Sequence, residues 1–230
     1  MLGSPEGDFR VVVPVKELRH AKTRLEVDEA TRHRLALAFA VDTVEVALGA
    51  RWVGEVVVLT RDRQVAREVG RLGARSMRPG GTRELNSELR WALRRLGVGS
   101  RRPTAVLMAD LPALRACELD HVLGDARAGG DVVFVEDAWG GGTTLLAGPS
   151  GGLVPRFGGR SASRHREVGA RGVRLELPGL RCDVDDVRSL SAAVEHGLNP
   201  RAKSVVEAMS LEPHTRPTEA PSRGRERMGA

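Results

Sequence analysis

Fifteen residues near the start of the chain, Val11 to Leu25 (VVVPVKELRHAKTRL), set four cations directly after a β-branched run: Lys16, Arg19, Lys22 and Arg24. A triphosphate needs several positive charges that arrive without counter-ions of their own. A short loop at the end of a buried strand supplies them, and Lys16, Lys22 and Arg24 are the candidates. A solvated basic turn is the plainer use of the same residues. The pattern matches neither a Walker A loop nor GxGxxG.

Further groups have the types and order that chemistry on a metal-bound nucleotide needs. Asp110, in MADLPAL, directly follows an apolar strand. One or two carboxylates plus phosphate oxygens form the Mg²⁺ pattern; a turn or helix cap is the alternative. Asp183 and Asp185, in CDVDD, share one face if that segment is extended. If it opens a helix, one of them is the N-cap. The stretch Gly140 to Thr144 (GGGTT) offers unobstructed backbone N–H groups and then hydroxyls, suited to wrapping an anion or to a hairpin connection. Arg156 to His165 (RFGGRSASRH) places Gly158, Gly159, Arg160 and Ser161 before an expected helix, whose N-terminus attracts anions. Ser161 is equally a plain N-cap there, and His165 an ordinary helix residue, not a base. Asn86 reads a base edge or ribose, or simply starts a helix. Cys117 and Cys182 lack a CxxC partner or a neighbouring base, and no GxSxG occurs, so nucleophilic catalysis has no support.

Composition narrows the field. At 230 residues with 41% apolar side chains the chain can bury a proper core, but it has only three Trp, four Phe and no Tyr. Aromatic platforms for single-stranded nucleic acid are therefore scarce. The net charge of +6, carried almost entirely by arginine, fits an anionic ligand or a GC-rich genome. A basic nucleic-acid-binding module is the rival it suggests, and no recognised motif supports that rival. The first residues lack a signal peptide's apolar core, and no apolar run approaches the ~20 residues of a membrane span. A cytoplasmic protein with reduced thiols is expected.

These residues must be held by a scaffold. Apolar runs at Val11–Val15, Val56–Leu59, Thr104–Ala109, Asp131–Val135 and Thr143–Ala147 read as strands, with Ala74–Met77 a short one. Glu29 to Leu48, Arg61–Leu72, Glu84–Leu96, Arg115–Ala126, Ser161–Arg171 and Val184–Glu195 read as helices, and Val173–Leu177 as extended. This alternation predicts an α/β fold: one mostly parallel sheet with helices on both faces. Ligands bind beyond the carboxyl ends of such strands at a topological switch point. The cationic loop, Asp110 and the glycine-rich loop all leave strands at that end. Residues 1–200 are expected to form the domain. Residues 201–230 form an extension whose composition predicts disorder from Glu212 onward.

In this order PVKELRHAKTRL, ELN, MADLPAL, GGGTTLL, RFGGRSASRH and CDVDD resemble one family, the phospholactate/phosphoenolpyruvate guanylyltransferases of coenzyme F(420) biosynthesis. The resemblance covers about Val11 to Leu190. It implies a Rossmann-like, GT-A-like nucleotidyltransferase fold that uses GTP and Mg²⁺, with phosphoenolpyruvate or 2-phospho-L-lactate as acceptor. Carried over by motif, Asp110 and Asp183 are the metal pair, with Asp185 a substitute. Thr143, Gly158 and Ser161 hold the acceptor; Lys16, Lys22 and Arg24 serve the GTP phosphates; Asn86 serves the nucleoside. Partners are then small molecules, without nucleic acid or membrane. The family's Asp-Thr-Pro is Asp186-Val187-Arg188 here, and its Gly-Thr-Gly-Thr is Gly140 to Thr143, so positions 141 and 186 depart from the pattern. The Arg- and Ala-rich composition is similar to GC-rich actinobacterial members and leans toward phosphoenolpyruvate. Another cofactor-precursor or sugar-phosphate nucleotidyltransferase is the nearest alternative, although the glycine-rich first loop usual in those enzymes is missing.

Overall fold

The computed structural model describes residues 7–81, 83–97 and 101–211. Strand β1 (Phe9–Val15) lies inside the sheet, and its apolar run is explained by parallel neighbours on both edges and helices on both faces. On one edge stand β2 (Val53–Thr60) and then β3 (Arg75–Met77); on the other, β4 (Thr104–Leu107). Beyond β4 come β6 (Thr143–Gly148), β5 (Val133–Glu136) and the edge strand β7 (Arg171–Gly172). Only β6 runs against its neighbours, so the sheet is mostly parallel, as expected. The chain crosses from one side of β1 to the other between β3 and β4. That reversal puts the switch point at the carboxyl ends of β1 and β4.

Alternation along each strand divides the core. Val11, Val13, Val56 and Val58 face α1 (Glu29–Gly49) and α4 (Ala116–Gly129). Val12, Val57, Val106 and Phe134 face α3 (Leu85–Gly97) and α5 (Ser161–Glu167). Each such side chain contributes about 1.5–3 kcal/mol by leaving water. A helix α2 (Arg63–Arg71) joins β2 to β3, with Asp62 capping its first turn through Gln64 and Val65 N–H.

Helix α1 is apolar on more than one face because it is covered twice. Its outer side, Leu35 and Phe39, packs with Val184, with Ala193 of α7 (Val187–His196) and with Ala202 of α8 (Pro200–Leu211). The buried Asp42 of α1 accepts from the backbone N–H groups of Arg201 (3.3 Å) and Ala202 (2.8 Å), satisfying donors at the start of α8. The composition change at Pro200 therefore marks the first residue of a packed helix, not the edge of the folded body. The disorder expected from Glu212 lies outside the described residues.

Three local expectations need correction. The helix expected over Ser161–Arg171 ends at Glu167, where Gly169 (φ +88°) turns the chain and Ala170 N–H returns to His165 O. Arg171–Gly172 then pairs with β5, so the strand lies earlier than the extended stretch expected at Val173–Leu177. The helix expected from Val184 starts at Val187, after a short helix α6 (Pro178–Arg181). Among the described residues no helix is long and apolar enough to cross a membrane.

Candidate active site

The acids converge where the topology predicts. Asp110 leaves the end of β4, and its backbone carbonyl accepts the N–H of Val184 at 3.0 Å. That bond carries the CDVDD segment to the switch point. Val184 is fully buried, and Asp183 and Asp185, on either side of it, line the cleft. Neither caps α7: Asp186 does, accepting from Ser189 N–H at 2.8 Å, which gives the departing position 186 a structural role.

Lys22 is held among these acids. Its Nζ lies 2.6 Å from Asp110 Oδ2 and 3.0 Å from Asp185 Oδ1. Its backbone is left-handed at φ +55°, a conformation costing about 1–2 kcal/mol for a residue with a Cβ. Burial works against the ammonium charge, but Asp110 and Asp185 outweigh it and raise the Lys22 pKa. An isolated bridge between Arg24 and Asp186 fastens the cationic loop to the acid segment. Lys22 is therefore not one of the counter-ion-free cations expected at the phosphates. Lys16 and Arg24 are: both are exposed, line the cleft and make no ion pair among the described residues. Arg19 pairs with Glu17 instead.

The donor set fits a divalent cation. Asp110 Oδ1 and Asp183 Oδ1 are buried without a hydrogen-bond partner, and an ammonium already bridges Asp110 to Asp185. Burial and the neighbouring Asp110, Asp137 and Asp185 push the Asp183 pKa up to about 7, with Lys22 opposing. Crowded carboxylates with unspent oxygens are stabilised by a cation. Among the described residues no group of three metal-ligating side chains forms a cage by itself.

Hydroxyls and backbone dipoles, with the cation Arg160 among them, line another part of the cleft. Thr143 opens β6 and Ser161 opens α5; their hydroxyls lie 3.0 Å apart. Gly158 (φ +105°) and Arg160 (φ +58°) shape the loop before Ser161, and the Ala162 N–H donates to Gly141 O. Gly141 itself sits at φ +128°, which favours glycine at the position where the family pattern departs. Asn86, expected at the nucleoside, makes two hydrogen bonds within the protein: its Nδ2 donates to Phe157 O (3.0 Å) and its Oδ1 accepts from Phe157 N (2.7 Å). These two bonds brace the loop that carries Gly158.

One residue escaped the sequence reading, and another was taken there for an ordinary helix residue. Asp137, directly after β5, lines the cleft near Asp183, and it carried the same signal as Asp110, an acid following an apolar strand. A Cβ on Gly142 would overlap its Oδ2, so a larger residue there would force the Asp137 carboxylate to move. His165 is fully buried and hydrogen-bonded at both ring nitrogens. Nothing local in SASRH marks it.

The two walls bound a cleft of about 910 Å³. The family described as "Guanylyl transferase CofC like" matches residues 9–226, well past the Leu190 limit of the motif resemblance. A phosphoenolpyruvate guanylyltransferase of Streptomyces scabiei is 49% identical over 205 residues, covering 84% of this chain and 93% of that protein. One from Salinispora arenicola is 45% identical, covering 84% and 91%. Among solved structures, a putative nucleotide-diphospho-sugar transferase from Desulfovibrio desulfuricans aligns with TM-score 0.69 at 14% identity, covering 89% of this chain and 96% of that one. This last likeness concerns the fold alone. With a family match over most of its length, the chain belongs to the CofC-like guanylyl transferases and is a nucleotidyltransferase.

Proposed function

We propose that this enzyme joins GMP from GTP to phosphoenolpyruvate, in the coenzyme F(420) route that the family resemblance implies. An oxygen of the acceptor phosphate attacks the α-phosphorus of GTP. The bond to the β-phosphate oxygen breaks, and pyrophosphate leaves with the electron pair. The product carries a new diphosphate linkage. A phosphomonoester is already ionised at neutral pH, so the attack needs alignment and charge neutralisation more than a base.

The observation that carries this reading is the pair of buried, unpartnered oxygens, Asp110 Oδ1 and Asp183 Oδ1, on two segments joined by the Val184–Asp110 backbone bond. Asp110 and Asp183, with Asp185 adjacent, would hold Mg²⁺, which when bound neutralises phosphate charge and orients the α-phosphate. Lys16 and Arg24 offset the charge of the triphosphate. Lys22 keeps the acids in register through its two ion pairs. Thr143, Ser161 and the Gly158 loop receive the acceptor's carboxylate and phosphate, with Arg160 on the same wall. Relatives at 39–49% identity that carry the phosphoenolpyruvate name favour that acceptor over 2-phospho-L-lactate.

The test is pyrophosphate release from GTP and Mg²⁺ with each acid in turn. Release with phosphoenolpyruvate well above that with 2-phospho-L-lactate is expected. Release with neither acid overturns the proposal, and faster release with phospholactate reassigns the acceptor.

A further inference from the structure

His165 is a buried titratable side chain that the proposed reaction does not use. It has no exposed surface and packs between the rings of Phe157 and Phe134, with centroids 5.1 and 5.9 Å away. Packing alone would be served as well by phenylalanine. Yet both ring nitrogens are hydrogen-bonded at 3.0 Å, Nε2 to the backbone N–H of Arg156 and Nδ1 to the Thr143 hydroxyl. A backbone N–H can only donate, so Nε2 carries the lone pair. The single proton of the neutral ring therefore sits on Nδ1 and points at Thr143 Oγ1.

The consequence is a count of hydrogens. Thr143 and Ser161 have two hydroxyl hydrogens between them and one mutual bond. With Nδ1–H donating, one of those hydrogens stays unspent, and both residues line the cleft. In the other tautomer Thr143 would donate to Nδ1 and Ser161 to Thr143, and neither would have anything left to give. We infer that His165 is a positioning residue whose tautomer, imposed by the Arg156 N–H, makes the Thr143–Ser161 pair a net hydrogen-bond donor to an anionic oxygen of the acceptor.

This inference rests on the acceptor placement proposed above. A doubly protonated ring would set Nε2–H against the Arg156 N–H. Burial, with Arg164 and Arg156 nearby, lowers the His165 pKa to about 4, so the neutral ring persists at physiological pH.

Steady-state kinetics with GTP and phosphoenolpyruvate test it on T143V, H165F, H165N, H165Q and the double variant T143V/H165F. Phe keeps the ring and removes both hydrogen bonds. Asn returns an amide N–H near the former Nδ1, whereas Gln reaches toward Arg156 instead. T143V and H165F should each raise the KM for the acceptor about tenfold, the scale of one hydrogen bond to a charged group. The KM for GTP should stay within about twofold in both, because the relay lies on the acceptor's wall. H165N should recover most of the loss and H165Q little of it, and H165F should add nothing in the T143V background. Additive effects of T143V and H165F, or equal KM values for H165N and H165Q, overturn the inference in favour of plain packing. An unchanged acceptor KM in T143V overturns the acceptor placement itself, and the inference with it. Should H165F fail to fold, the H165N–H165Q pair decides alone.

Discussion

The two walls of the cleft are built by opposite means. One is ionic: Lys22 bridges Asp110 and Asp185 while Asp183 is crowded by like charges. The other is neutral: Thr143, Ser161 and His165 are joined through hydrogen bonds whose direction, not charge, decides what they can bind. Ionic clusters titrate and respond to cations. Hydrogen-bonded hydroxyls change little with pH as long as their donor keeps its tautomer. In the reaction proposed above, the triphosphate would bring large charge to one side and the small acid would need orientation on the other.

The comparison breaks most easily at Asp110. Asp110→Asn should lower kcat by about a thousandfold or more, on the scale of removing a metal or oxyanion ligand, with the fold retained. Near-normal turnover would remove Asp110 from the ionic wall. Asn86→Ala strikes the support of the neutral wall. It strips two hydrogen bonds from Phe157 and should destabilise the protein by about 1–3 kcal/mol, seen in the urea midpoint, while the KM for GTP holds. A large rise in that KM without loss of stability would return Asn86 to the nucleoside.

The smallest effect sharpens the contrast in pH. The Asp183 carboxyl, raised from 3.8 to about 7, favours its protonated form in the folded state. Its contribution to stability is complete below about pH 4 and is lost as pH rises through 7. The melting temperature of metal-free wild type should therefore fall relative to Asp183→Asn across that window. A Tm difference between the two proteins that stays constant from pH 4 to 8 contradicts the crowded-acid description.

Much of the scaffold was legible. The apolar runs at Val11–Val15 and Val56–Leu59 marked the buried parts of β1 and β2, and the long periodic stretch from Glu29 matched α1 to within a residue, because buried parallel strands and a twice-covered helix leave strong patterns. Short elements did not show. The two-residue β7 and four-residue α6 exist through pairing and packing, and carry too few residues for a period to appear. At the site, MADLPAL and CDVDD announced their acids, but which acid caps α7 depended on where the helix began. Asp186 took that role and freed Asp183 and Asp185 for the cleft.

By itself the sequence determined the residue types and the chain ends that carry them: cations after β1, an acid after β4, glycines and hydroxyls near β6 and α5. Only the tertiary structure decided who faces whom. Lys22 meets an acid 88 residues away and another 163 away, and His165 takes its tautomer from a backbone N–H nine residues before it. Periodicity encodes which face of an element is buried, whereas ion pairs and hydrogen bonds act over about 3 Å and exist only once those faces have packed.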